Sequence, residues 1–173
     1  MLDGIEAGNR SVLGLKRGAG TTLALAIVDK ACVQPLHVGD SGILVITQRG
    51  RIKHRTMPHG PVGDAVRAGI LDEEDAPWHE ESHVVSNLVG GADMWVELGP
   101  KIPLGRRDTI VVGSDGLFGN LSAEEIAAQV RTGDLSAVAD ALANACALRM
   151  QEGSADRPPA PDDLSFVLFR MQS

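Results

Sequence analysis

Aromatic residues are scarce: three Phe, two Trp and no Tyr make up 3% of the 173 residues. Single-stranded nucleic acid is usually gripped by stacking on such rings, so this scarcity argues against that kind of binding. Positive charge is also short, with 16 Lys and Arg against 23 Asp and Glu and a net charge of −7. An acidic surface repels phosphate backbones and anionic bilayers, so neither nucleic acid nor membrane is expected as a partner. No apolar run approaches the length of a bilayer span, and Met1-Leu2-Asp3-Gly4 does not open a signal peptide. Cysteine is nearly missing. Cys32 and Cys146 lie in apolar-patterned segments and make no C-x-x-C pair, which reads as two buried thiols in a reducing, cytoplasmic setting.

What remains is globular: 43% hydrophobic, 23% charged and 20 Gly, in a length that fits one domain over residues 1–173. Leu2, Ile5, Asn9, Val12 and Leu13 fall at helical spacing. This helix has no visible cap, which suggests a beginning further upstream. Strand patterns follow over residues 21–28, 32–38, 43–47 and 51–55, separated by Gly- and Asp-rich turns, as in an antiparallel meander. Residues 57–92 are rich in Pro, Gly, His and acids, with short helical stretches expected at 62–68 and 83–89. They read as a flap on the sheet. Strand patterns return at 94–98 and 109–113. Ser122-Ala123-Glu124-Glu125 is a capping box that opens a helix to about Arg131. A second amphipathic helix spans 136–151, a Pro-rich loop 153–161, and a last strand 164–169. This order predicts an α+β fold with helices on a largely antiparallel sheet.

Two patterns bear on chemistry. His79-Glu80-Glu81-Ser82-His83 fits H-E-x-x-H, in which two His one helical turn apart bind zinc. The acidic stretch Asp72-Glu73-Glu74-Asp75 before it is not the apolar helix face that would bury such a site, although Pro77 suits a helix start. The second pattern is quieter and more consistent. Asp40 in Val38-Gly39-Asp40-Ser41, Asp115 in Gly113-Ser114-Asp115-Gly116 and Asp162 in Pro161-Asp162-Asp163-Leu164 each stand at the end of an expected strand. Singly, Asp beside Gly or Ser is a turn former. Three carboxylates along one sheet edge suit a hard cation such as Mg²⁺ or Mn²⁺, and such a cation activates water for hydrolysis of a phosphate ester.

Gly18-Ala19-Gly20-Thr21-Thr22-Leu23, Val38-Gly39-Asp40-Ser41, Gly113-Ser114-Asp115-Gly116-Leu117-Phe118 and Asp162-Asp163-Leu164-Ser165 occur in an order that resembles the metal-dependent protein Ser/Thr phosphatases, the PPM or type-2C family. His83-Val84-Val85-Ser86-Asn87-Leu88-Val89-Gly90 resembles the segment after that family's flap. The resemblance implies an α-β-β-α sandwich of two antiparallel sheets flanked by helices. It also implies two Mg²⁺ or Mn²⁺ ions sharing a water that attacks phosphoserine or phosphothreonine of a phosphoprotein. Asp115 and Asp162 then match ligands of the binuclear centre, and Asp40 a ligand of a weaker, additional metal. Two departures stand out. The family's opening strands, with a metal-bridging Asp-Gly pair and a phosphate-holding Arg, have no counterpart, since Asp3-Gly4 precedes Gly18 within a helix. An Asp expected four residues after Asp115 is Gly119. An N-terminally truncated domain of this kind is expected to have little activity alone, and to self-associate through an uncovered sheet edge, to need a partner strand or to melt early. The alternative is a pseudophosphatase that binds a phosphoprotein or regulatory partner without turnover.

Overall fold

The computed structural model describes residues 1–73, 75–76, 79–153 and 159–172. Glu74 of the acidic stretch, Pro77 at the expected helix start and most of the Pro-rich loop (residues 154–158) lie outside the described residues.

Two antiparallel sheets form the body. The meander gives β1 (Leu23–Asp29), β2 (Cys32–Val38), β3 (Gly42–Ile46) and β4 (Ile52–Arg55). It does not stay in one sheet. β2 pairs with β1 on one side and, on the other, with two short strands end to end, β5 (Glu97–Leu98) and β6 (Ile102–Pro103). The chain crosses at the Gly39–Ser41 turn, and the second sheet runs β4-β3-β7-β8 with β7 (Thr109–Gly113) and β8 (Phe166–Arg170).

Alternation along the second sheet serves two cores at once. Ile43, Val45 and Ile110 point between the sheets and meet Val33, Ile102 and Leu104. Leu44, Ile46 and Val111 point the other way, under α4 (Ala123–Val130) and α5 (Leu135–Glu152), against Ile126, Val130 and Leu142. The capping box is formed: Ser122 Oγ accepts the Glu125 amide at 3.1 Å and Glu125 accepts the Ser122 amide at 2.8 Å. Asp134 caps α5 by accepting the amides of Ser136 and Ala137. The opening helix, α1 (Leu2–Gly14), buries only Ile5 and reaches the loop ahead of β5 through Asn9, whose amide nitrogen donates to Gly91 O at 3.2 Å.

Three expectations change. Only the first of the two helical stretches forms, as α2 (Pro61–Arg67). Residues 83–89 form turns and coil instead, because their amides find distant partners: Ser86 N–H donates to His59 O and Val89 N–H to Thr21 O, both at 2.9 Å. The strand expected at 94–98 shrinks to Glu97–Leu98, and the last strand starts at Phe166 rather than Leu164. Of the cysteines, Cys146 is buried and Cys32 only half-buried. Among the described residues, no helix is long and apolar enough to cross a membrane.

Candidate metal centre

Asp40 and Asp115 are delivered by strand ends and Asp162 by the coil before β8, and each is held by its own local device. β2 ends at Val38, and Gly39 turns the chain at φ +95°, where a side chain is strained. A Cβ there would also lie 2.5 Å from Thr22 Cγ2. The turn sends Asp40 away from the sheet, and the hydroxyls of Thr22 and Ser41 bond beside it at 2.7 Å. β7 ends at Gly113, and Ser114 is the N-cap of a single turn of helix, α3 (Asp115–Phe118), so Asp115 is its first residue.

Asp162 reaches the same place because its segment is stitched to α3. Ser114 N–H donates to Ser165 O at 2.9 Å. Ser114 Oγ and the backbone of Asp163 and Ser165 bond at 3.2 Å. Gly116 permits the approach, since a Cβ on it would sit 2.3 Å from Asp163 O. Asp40, Asp115 and Asp162 therefore line one pocket of about 240 Å³. Met57, Val62, Val66 and Phe118 form apolar wall, and Ser82 and His83 also line it.

Among the described residues the site is short of positive charge. None of the ion pairs among the described residues involves the three Asp. Asp40, half-buried, has its pKa raised first by desolvation and then by the charge of Asp162. Asp115 presents one side to solvent, yet its pKa is also raised, by desolvation against the pocket wall and then by the charges of Asp40 and Asp162. Carboxylates that repel one another without a counter-ion are a donor set for a hard divalent cation.

Asn120, also on the pocket wall, is a residue the sequence did not flag. Its amide nitrogen donates to Gly116 O at 3.0 Å and to Ala160 O at 3.2 Å, and its buried Oδ1 has no partner. That leaves an oxygen acceptor with nothing to accept. Gly119, in the place of the expected Asp, lines the same pocket and supplies no carboxylate.

The zinc pattern does not survive. Residues 79–83 are turns, not a helix, so His79 and His83 are not stacked on one face, and His79 Nδ1 accepts the Glu81 amide at 3.2 Å. A different cluster does bring ligand types together: His37, His59 and Glu97, with ligand atoms within 4.8 Å of one another. The three residues are far apart in sequence, and nothing in their spacing announces the cluster. Its hydrogen bonds argue against a metal. Asn87 pairs with the backbone of Trp95, its Oδ1 accepting Trp95 N–H at 3.2 Å and its nitrogen donating to Trp95 O at 2.7 Å. This fixes the amide nitrogen toward His59 Nδ1, at 2.7 Å, and Gly39 N–H donates to the same atom at 3.2 Å. Nδ1 is thus an acceptor, the ring proton sits on Nε2, and Nε2–H donates to Glu97 at 3.2 Å. A nitrogen that carries a proton is not a ligand.

No family model matches the chain. It is 36% identical over 115 residues to the protein phosphatase PhpP of Streptococcus pneumoniae, which is 64% of this chain and 44% of that protein. The serine/threonine phosphatase of S. agalactiae superposes with a TM-score of 0.73 at 31% identity, over 84% of this chain and 62% of that one. The catalytic domain of the serine threonine protein phosphatase PstP, solved with 2 manganese ions, gives a TM-score of 0.73 at 21% identity, over 94% of this chain and 66% of that one, a likeness of fold. The chain thus spans less than half the length of the curated relative. With two antiparallel sheets, a helical layer and three carboxylates in one pocket, the chain belongs to the metal-dependent protein phosphatases of the PPM, or type-2C, family.

Proposed function

We propose that the pocket holds Mg²⁺ or Mn²⁺ on Asp115 and Asp162, with Asp40 serving a further, weaker ion, and that it acts on phosphoserine or phosphothreonine of proteins. The observation that carries this reading is the meeting of three carboxylates in a pocket where no ion pair among the described residues neutralises them. The manganese ions of PstP and the phosphatase names of the relatives support it. When bound, the cation supplies Lewis acidity and an activated water for hydrolysis of a phosphate ester. The chain's own part is to place oxygen donors and exclude water. Asp115 and Asp162 stay close because of the Ser114 bonds and bare Gly116, and Met57, Val62, Val66 and Phe118 keep one side of the pocket dry.

A second reading, binding without turnover, has its own support. Arg55 is the one guanidinium among the described residues around the pocket, and it is turned to Glu73 at 3.0 Å. A phosphate dianion beside three carboxylates needs a free cationic partner. In either reading the partner is a phosphoprotein in a cytoplasmic signalling setting, and copies of the chain associate through an uncovered sheet edge. Titration calorimetry with Mn²⁺ tests the site, with binding expected in the intact chain and lost in Asp115→Ala and Asp162→Ala. Hydrolysis of a phosphothreonine peptide with Mn²⁺ then separates the two readings: turnover that Asp162→Ala abolishes selects the enzyme, and peptide binding without turnover the binding module. Mn²⁺ binding that both variants keep would place the ion elsewhere and overturn the assignment.

A further inference from the structure

Asp40 stands just beyond the last residue of β2, where the ladder no longer holds the backbone. A backbone amide that leaves a sheet into a buried turn must find another acceptor. Gly39 N–H finds Nδ1 of His59 at 3.2 Å, and Gly39 O accepts His59 N–H at 3.0 Å. One residue therefore grips both backbone groups of the glycine that precedes Asp40.

The grip is rigid because His59 is itself held on every side. Its side chain has no solvent exposure. The ring stacks on Trp95 with centroids 4.0 Å apart and leans on His37 at 4.3 Å. Its Nε2–H donates to Glu97, which Arg67 also binds at 2.6 Å. Asn87 keeps Nδ1 in its acceptor form, as argued above. Glycine has the widest backbone freedom of any residue, so a Gly39 released from this grip would let the next side chain swing.

We propose that His59 is a positioning residue for Asp40: through its two bonds to Gly39 it sets the direction in which the Asp40 carboxylate enters the pocket. This rests on the cation reading of that pocket. The His37–His59–Glu97 cluster is then the foundation of the neighbouring site, not a metal site of its own.

The test compares Mn²⁺ binding by calorimetry in the whole chain across four variants, with thermal melts to show that each is folded. Asp40→Ala defines the part of the binding that needs Asp40. His59→Leu removes the acceptor and is expected to weaken that part about 10- to 100-fold, as loss of an outer-shell partner does. His59→Asn puts an oxygen near the place of Nδ1 and restores affinity to within about threefold of wild type. His59→Gln reaches the place of Nε2 and Glu97 instead, and stays weak. A role limited to filling the core and holding Glu97 predicts the reverse order, Gln better than Asn. That reversed order, or equal affinity in Asn, Gln and wild type, overturns the positioning role while the cation reading stands. Should His59→Leu fail to fold, the Asn–Gln pair decides. Binding that Asp40→Ala leaves unchanged overturns the cation reading of Asp40 and the positioning role with it.

Discussion

Leu44, Ile46 and Val111 lie beneath α4 and α5 with no solvent exposure, whereas Val167 and Phe169, on the opposite face of the same sheet, are 65% and 42% exposed. The amino acids are of one kind, so composition does not separate the regions. What differs is the cover. In register, Val167 stands opposite Val112 and Phe169 opposite Ile110, so both face the space between the sheets. β1 packs over β3 and β7 rather than over β8. On β1 itself, Ala24 and Ala26 pack into that space, while Val28, on the same face by alternation, is 38% exposed. A sheet face gains its hydrophobic stabilisation only where a second layer removes it from water.

The largest effect expected from this contrast is on stability. Leu142 is fully buried between α5 and the second sheet. Leu142→Ala should cost about 2 to 5 kcal/mol, the range for a cavity in a packed core. Val167→Ala should change stability by no more than about 0.5 kcal/mol, as for surface sites. Urea melts of the two variants would measure both, and comparable losses would mean that the flank is covered in solution.

His59 extends the comparison to buried polar groups. Burial, first of all, and the neighbouring His37 push its pKa down to about 4 from an ordinary 6.5. Between those values the unfolded chain binds the proton and the folded chain does not, so stability falls as pH drops from about 6.5 toward about 4. A loss on the order of 1 to 3 kcal/mol is expected. Melting midpoints at neutral pH and at the acid end of this window should therefore diverge in wild type and diverge less in His59→Asn, where His37 and His54, also pushed down by burial, still contribute. An equal acid shift in both proteins would assign the effect to other groups.

Much of the fold and of the candidate centre was legible in the sequence. The strand patterns and the capping box are local, and local patterns translate directly into elements. Asp40 and Asp115 were visible because each follows a strand at a Gly- and Ser-rich turn, and Asp162 because it shortly precedes the last strand. The rest is set by distant partners. Two-residue strands such as Glu97–Leu98 carry no period. The turns at 83–89 exist because His59 and Thr21 outcompete a helix for their amides. Asn120, Ser114 and the His37–His59–Glu97 cluster acquire meaning only once the chain brings separate elements together.

An uncovered flank of apolar side chains beside an edge strand templates association with another chain. We propose that this chain self-associates there, and that Val167→Lys with Phe169→Lys raises the dissociation constant by about tenfold, roughly 1.4 kcal/mol. Light scattering after size-exclusion chromatography, over a range of concentrations, reads this directly. A wild-type chain that stays monomeric throughout would remove the flank from consideration as an interface.

The smallest effect concerns Asp115, and its sign is opposite to that of most site substitutions. The raised pKa of Asp115 means that the folded chain, without a cation, holds a proton there more tightly than the unfolded chain does. Its stability therefore falls as pH rises above the ordinary carboxylate range, the reverse of a carboxylate held by a salt bridge. At neutral pH the repulsion from Asp40 and Asp162 is fully expressed, although the solvent-facing side of Asp115 screens part of it. Asp115→Asn keeps the shape and removes one of the repelling charges. The metal-free variant should be more stable than metal-free wild type by about 0.5 kcal/mol, within the range of a relieved surface charge contact. Added Mn²⁺ should reverse the order, because a ligand that binds only the folded state stabilises wild type and has lost a donor in the variant. Thermal melts of both proteins in chelator and in excess Mn²⁺ give the four midpoints. A variant less stable than wild type in chelator would show that Asp115 serves the fold, not a cation.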